Sequence, residues 1–138
     1  MSYPTIKSHN RIPTGMRTVK QIPRMRVAVD IDETLTKGNA KWWEGNWGEP
    51  HEQAVEWVHQ TYINGHTIML YTARPERARG MTEGWLKDNG IEYHTLTMDK
   101  LSAQVYVDDR AIPASMIQRD EMKAIPELNE EIIEAFEE

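Results

Sequence analysis

Cysteine is absent from all 138 residues. That removes disulfides, thiolate metal sites and cysteine nucleophiles, and it fits a reducing cytoplasm, the expected compartment. No run of about 18 apolar residues occurs, so no membrane-spanning helix is expected. The first residues lack an apolar stretch of signal-peptide type, and no secretory leader is expected. Excess positive charge is also missing. Lys and Arg number 16 against 22 Asp and Glu, a formal net charge of -6. Non-specific nucleic-acid binding through a basic surface is therefore not expected, which leaves a local basic groove as the route to such a partner. There is no internal repeat. The length suits one domain with a real core.

What is present centres on Val27-Ala28-Val29-Asp30-Ile31-Asp32-Glu33-Thr34-Leu35-Thr36. A run with the character of a buried strand leads straight into two carboxylates that flank one isoleucine. Carboxylates at a buried strand end are costly unless something binds them. The decapeptide alone allows two readings: a solvated Asp-rich turn, or a site that holds a divalent cation against a phosphate.

The pattern of the chain narrows the choice. Met1 to Pro23 is broken by Pro4, Pro13, Gly15 and Pro23 and carries Lys7, Arg11, Arg17 and Lys20, which reads as a polar, basic arm. Arg26 to Ile31 predicts a first strand, apolar enough to be covered on both faces. Thr36 to Pro50 predicts a loop containing Trp42, Trp43 and Trp47, packed on the core or standing as an aromatic wall beside a site. Glu49 to Ile63 predicts a helix, with Ala54, Val55, Val58 and Tyr62 at helical spacing and Asn64-Gly65 as its stop. Thr67 to Tyr71 predicts a second strand and Glu76 to Lys87 a second helix. Ile91 to Leu96 and Val105 to Val107 predict a third and a fourth strand. Short helices are expected after Pro113 and from about Glu127 to the acidic end, with a short edge strand at Met122 to Ile125. Such an alternation makes a parallel α/β sheet, whose ligands bind beyond the C-terminal ends of the strands.

That edge collects Asp30 and Asp32 from the first strand, Thr72 and Arg74 from the second, Lys100, and Asp108 and Asp109 from the fourth. The set supports phosphoryl transfer. A carboxylate can attack phosphorus to form an acyl phosphate. An anionic substrate among four carboxylates requires a cation, and magnesium takes oxygen ligands together with waters and phosphate. A second acid would protonate the leaving alkoxide and then activate water. His9, His51, His59, His66 and His94 show no metal-ligand spacing.

Asp30-Ile31-Asp32-Glu33-Thr34, then Thr72, Lys100 and Asp108-Asp109, resemble in order the four motifs of the haloacid dehalogenase-like phosphatase superfamily. The resemblance covers roughly Arg26 to Arg110. It implies a single three-layer Rossmann-like α/β domain over residues 25–138 with a mostly parallel sheet, behind an arm at residues 1–24. It implies Asp30 as nucleophile and magnesium ligand, and Asp32 as general acid and base with its carbonyl on the metal. Thr72 and Lys100 would bind phosphate, and Asp108 and Asp109 would anchor the Mg2+. Arg74 is a candidate for phosphate or leaving-group contact, or for an ion pair with a rim carboxylate. Glu33 stands where many relatives have glycine. Lys87, in the last turn of a predicted helix, competes with Lys100 for the third motif.

In that family, cap insertions choose the substrate. Leu35 to Gly48 and Thr97 to Ala103 are too short to hold one, so the protein looks capless. An open site suits bulky substrates such as phosphorylated macromolecule ends; a homo-oligomer partner would enclose a small one. The leading expectation is a magnesium-dependent phosphomonoesterase. The alternatives are a polynucleotide-end phosphatase, a phosphoacceptor signalling domain, and a catalytically silent phosphate-binding relative.

Overall fold

The structure, a computed structural model, describes residues 16–19, 22–38, 40–128 and 132–135. Most of the basic arm, residues 1–15 and 20–21, lies outside them. Eight elements follow in chain order: β1 (Met16–Val19), β2 (Arg26–Asp30), α1 (Glu52–Ile63), β3 (Thr67–Tyr71), α2 (Arg79–Asp88), β4 (Thr95–Thr97), α3 (Ala114–Gln118) and β5 (Ile132–Ala135). Strands β2, β3 and β4 form one parallel sheet in that order. The architecture is α/β.

Alternation within the strands decides what the sheet covers. Val29, Ile68, Leu70 and Leu96 are buried, and they pack with Ala54, Trp57 and Val58 of α1 and with Trp85 and Leu86 of α2. The β2–α1–β3 and β3–α2–β4 crossovers run in one direction, so right-handed connections put both helices on one face. The residues between, Arg26 and Ala28 on β2 and Thr95 and Thr97 on β4, are exposed. The expected helical cover on the second face is not found among the described residues.

Local chemistry moves several boundaries. Helix α1 starts at Glu52, not Glu49, because residues 49 and 50 serve a hairpin. The Lys37 N–H donates to the Glu49 carbonyl at 2.8 Å, and Thr36 pairs with Pro50. His51 then caps the helix, its Nδ1 accepting from the Ala54 N–H. Gly48 closes this hairpin with φ +89°, and a Cβ there would meet the Ala40 Cβ at 2.8 Å, so only glycine fits. Strand β4 begins at Thr95, not Ile91. His94 takes the preceding rung with its side chain, Nδ1 accepting from the Ile68 N–H at 3.0 Å.

Three expected elements are replaced. Val105 to Val107 is no strand: Val105 is 74% and Val107 98% exposed. Tyr106 instead binds its own loop, its hydroxyl accepting from the Ala103 N–H and donating to the Leu101 carbonyl, and Asp108 Oδ1 accepts from the Arg110 N–H. Such local side-chain bonds compete with a ladder. Met122 to Ile125 is no edge strand, because side chains take its carbonyls and the next one. Trp57 Nε1 donates to Lys123, Asn64 Nδ2 to Ile125 and His66 Nε2 to Pro126. The C-terminal helix is replaced by β5, antiparallel to β1 with Arg17 opposite Glu134 in the register. Glutamates at 130, 134 and 138 would repel at i,i+4 on a helix, and Ile132-Ile133 favours a strand. The side chains of the acidic tail lie outside the described residues.

Candidate functional site

The chain leaves β2 at Asp30 and turns at once. The Ile31 carbonyl accepts from the N–H groups of Thr34, Leu35 and Thr36 at 3.2, 2.8 and 3.1 Å. The Glu33 N–H donates to Thr36 Oγ1 at 2.8 Å, and Glu33 takes φ 63° to do so. Gln118 of α3 donates to the carbonyls of Glu33 and Thr34. This web fixes a tight turn that aims both carboxylates over the strand ends. It leaves the Asp32 N–H and the Asp32 carbonyl with no hydrogen-bond partner among the described residues.

Asp30 faces Lys100. The Lys100 Nζ lies 3.5 Å from Asp30 Oδ1, and the Thr34 hydroxyl donates to Asp30 Oδ2 at 3.3 Å. The Lys100 N–H donates to the Thr72 carbonyl at 2.8 Å, which ties the lysine to the end of β3. Burial holds the Asp30 carboxyl above its ordinary range. The Lys100 charge and the Ile31 N–H pull it back, and the neighbouring Asp32 charge adds to the rise. The anionic form of Asp30 is thus incompletely compensated. Of the two lysines the sequence offered, Lys100 is the one at the rim; Lys87 is exposed on α2.

Asp32 faces Arg74 and Thr72. Arg74 Nη2 donates to Asp32 Oδ1 at 2.7 Å and Nε to Oδ2 at 3.0 Å, a two-pronged pair. The Thr72 hydroxyl donates to Asp32 Oδ2 at 3.2 Å and accepts from the Arg74 N–H. Arg74 is 0% exposed. Its Nη1 donates to Thr82 Oγ1 at 3.2 Å, and its Cζ stands 5.2 Å from the Trp47 ring centroid. Of the two alternatives for Arg74, the structure shows the ion pair with a rim carboxylate: the buried guanidinium stands behind Asp32. Thr72 is equally buried and serves Asp32 in this state.

The rim gathers Asp30, Asp32, Thr72, Arg74 and Lys100. It does not gather Asp108 and Asp109, which are exposed in the 101–113 segment because the strand meant to carry them does not pair. No group of three or more His, Asp or Glu able to hold a metal is present among the described residues.

No family model matches the chain, and no curated protein matches it. Among solved structures, a crystal structure of an MCSG target from Vibrio cholerae is similar at TM-score 0.56 and 21% identity, over 68% of this chain and 87% of that one. That likeness is one of fold.

Sequence reasoning missed several residues of the site. Thr82 falls inside the predicted second helix and is not among the candidate residues, yet it seats Arg74. Trp47 was one of two options, core or wall. It packs against the core, its ring stands over Arg74, and its carbonyl accepts from Arg74 Nη2 at 3.5 Å. Trp42 also packs on the core, whereas Trp43 is 63% exposed, edge-on to Trp42. Tyr71 and Tyr106 flank Lys100 with ring centroids 4.4 and 4.5 Å from its Nζ. Ring contacts of this kind leave no spacing to read.

Proposed function

We propose that this protein is a magnesium-dependent phosphomonoesterase that works through an aspartyl-phosphate on Asp30, on a capless Rossmann-like core. The observation that carries the reading is the division of labour between two carboxylates two residues apart. Asp30 is incompletely neutralised and faces an ammonium, whereas Asp32 is oriented by a buried guanidinium and a hydroxyl.

The donor set fits a hard cation. The Asp30 carboxylate and the Asp32 carbonyl would hold it, with waters and substrate phosphate completing the shell, as magnesium commonly accepts. Bound there, it would draw charge from the phosphoryl oxygens. Asp108 and Asp109 would join only if their segment moved onto the rim.

The chain's own residues carry the reaction. Lys100 and the free N–H of Asp32 bind phosphoryl oxygens. An Asp30 oxygen attacks phosphorus while the ester P–O bond breaks, and Asp32, having taken a proton from solvent as the anionic substrate binds, gives it to the departing alkoxide. Asp32 then takes a proton from water as that water attacks the acyl phosphate. The P–O bond to Asp30 breaks, which restores the carboxylate and releases phosphate. Sugar phosphates, nucleotides and phosphorylated macromolecule ends are all compatible with an open rim.

The test is hydrolysis of an aryl phosphate with Mg2+, abolished by chelator and by Asp30→Asn. Wild-type turnover in purified Asp30→Asn would end the proposal. The exposure of Asp108 and Asp109 favours one second reading, a phosphate-binding relative without turnover. Stable stoichiometric phosphorylation of Asp30 without product release would select it.

A further inference from the structure

Lys100 is held in an unusual way for a lysine at a sheet edge. Its ammonium lies between two aromatic faces, with the Tyr71 ring centroid at 4.4 Å and the Tyr106 ring centroid at 4.5 Å, while it reaches Asp30 Oδ1 at 3.5 Å. Its side chain is 15% exposed.

Each ring is itself fixed. Tyr71 is the last residue of β3 and pairs with Asp30 in the parallel register, so it stands beside the carboxylate on the neighbouring strand. Tyr106 is pinned by its hydroxyl, which accepts from the Ala103 N–H at 3.0 Å and donates to the Leu101 carbonyl. Residues 101–106 thus close into a loop whose ring lies against the lysine.

A single ion pair does not hold a lysine well. The stem has four carbons and many rotamers, and a salt bridge to a partly exposed carboxylate fixes it weakly. The negative face of an aromatic ring attracts a cation without consuming an N–H donor, and the attraction grows as water is excluded. Two such faces fix the ammonium from the sides. Its three donors stay available for Asp30 and for an incoming anion.

We infer that Tyr71 and Tyr106 are positioning residues that hold the Lys100 ammonium against Asp30 through their ring faces. The inference rests on the proposed phosphatase reading for its kinetic consequence, but the clamp itself is observable without turnover.

The experiment compares Tyr71→Phe, Tyr106→Phe, Tyr71→Leu and Tyr106→Leu in the full chain. The first measurement is the carbon–proton spectrum of the lysine side chains, with the Lys100 ε-methylene assigned by its loss in Lys100→Arg. Ring currents from two faces should displace that resonance upfield in the wild type. Tyr71→Phe should keep the displacement, whereas each Leu variant, and Tyr106→Phe through loss of the hydroxyl that pins its ring, should lose part of it. The second measurement is aryl phosphate hydrolysis. The Leu variants should lose about tenfold in kcat/KM, the size of a desolvated cation–ring contact, Tyr71→Phe should stay within about twofold, and Tyr106→Phe should fall between.

Phe rescue at Tyr71 separates the ring from the hydroxyl. If Tyr71→Phe fell as far as Tyr71→Leu, a hydroxyl contact would be the cause and the clamp would be overturned, as it would be if Tyr106→Leu kept the full displacement. A wild-type Lys100 resonance at the ordinary lysine position would also overturn it. A displaced resonance in a protein that hydrolyses no phosphate ester would uphold the clamp and defeat the phosphatase reading.

Discussion

The guanidinium of Arg74 meets the carboxylate of Asp32 through two nitrogens, Nη2 at 2.7 Å from Oδ1 and Nε at 3.0 Å from Oδ2. The partners differ in exposure: Arg74 is fully buried, and the Asp32 side chain is 31% exposed. One charge is thus enclosed by the protein and the other opens onto the rim. The arrangement fixes the direction of Asp32 from behind while leaving its outer edge free to meet a substrate. Thr82 on α2 and the Trp47 carbonyl in the hairpin accept two further donors, so three chain segments converge on one guanidinium.

Removing the guanidinium tests that dependence. Arg74→Ala leaves Asp32 with Thr72 alone and withdraws donors from Thr82 and Trp47. Breaking a fully buried pair costs about 3–5 kcal/mol, and the partial exposure of Asp32 places the expected loss near 2–3 kcal/mol. Arg74→Lys should restore little, since one ammonium cannot reproduce the fork. Urea denaturation of the three proteins measures it, and a loss under 1 kcal/mol in Arg74→Ala would show that Asp32 is held by other means.

Glu33 supplies a second case. It adopts φ 63° within the turn that carries both carboxylates. A side chain in the left-handed region costs about 1–2 kcal/mol, and glycine gives back about 0.5–1 kcal/mol through its looser unfolded chain. Glu33→Gly should therefore stabilise the fold by up to about 1 kcal/mol, while Glu33→Val should destabilise it. Thermal melts of the pair decide the sign. A destabilised Glu33→Gly would mean that the carboxylate, not the backbone, matters there.

Much of this was legible in the chain itself. Thr67 to Tyr71 is read with its observed bounds, because five consecutive strand formers sit between Asn64-Gly65 and Pro75. The meeting of Asp30, Asp32, Thr72, Arg74 and Lys100 at one rim follows from strand order alone, since parallel strands point their C-terminal ends the same way. The direction of Arg74 was not legible. A cation three residues beyond a strand can turn outward or inward, and the hydroxyl of Thr82 that draws it inward lies eight residues away on a helix. Val105 to Val107 has the composition of a buried strand, yet it stays exposed while Tyr106 and Asp108 bond within their own loop. Composition states what a segment tolerates; competition among local hydrogen bonds decides which pairing forms.

His66 anchors the far end of β3. It is fully buried, its Nδ1 accepts from the Met25 N–H at 3.0 Å, and its Nε2 donates to the Pro126 carbonyl at 2.7 Å. One imidazole thereby ties the entry to β2 and the 123–128 segment to the sheet. His66→Phe keeps the ring volume but orphans both groups, at about 1–3 kcal/mol each when no water replaces the lost partner. The expected total is about 2–6 kcal/mol. Amide exchange at Met25 should accelerate in step. Stability unchanged in His66→Phe would mean that both backbone groups find other partners.

Asp30 links stability to pH in a direction opposite to most carboxylates. Burial, the largest influence, raises its pKa above the ordinary 3.8, against the pull of Lys100. A carboxyl raised in the fold holds its proton more tightly there than in the unfolded chain, so stability falls as pH rises from the unfolded value through the folded one. Below the unfolded value the contribution is full, and above the folded value a constant penalty remains. Asp30→Asn removes that penalty. Without added metal at neutral pH, the variant should melt higher than the wild type, and the gap should close as pH drops toward 3.8. Added Mg2+ should raise the wild type and leave the variant where it was, because the carboxylate is the donor lost. A variant that melts lower than the wild type at neutral pH would mean that the ion pair with Lys100 outweighs the burial of Asp30.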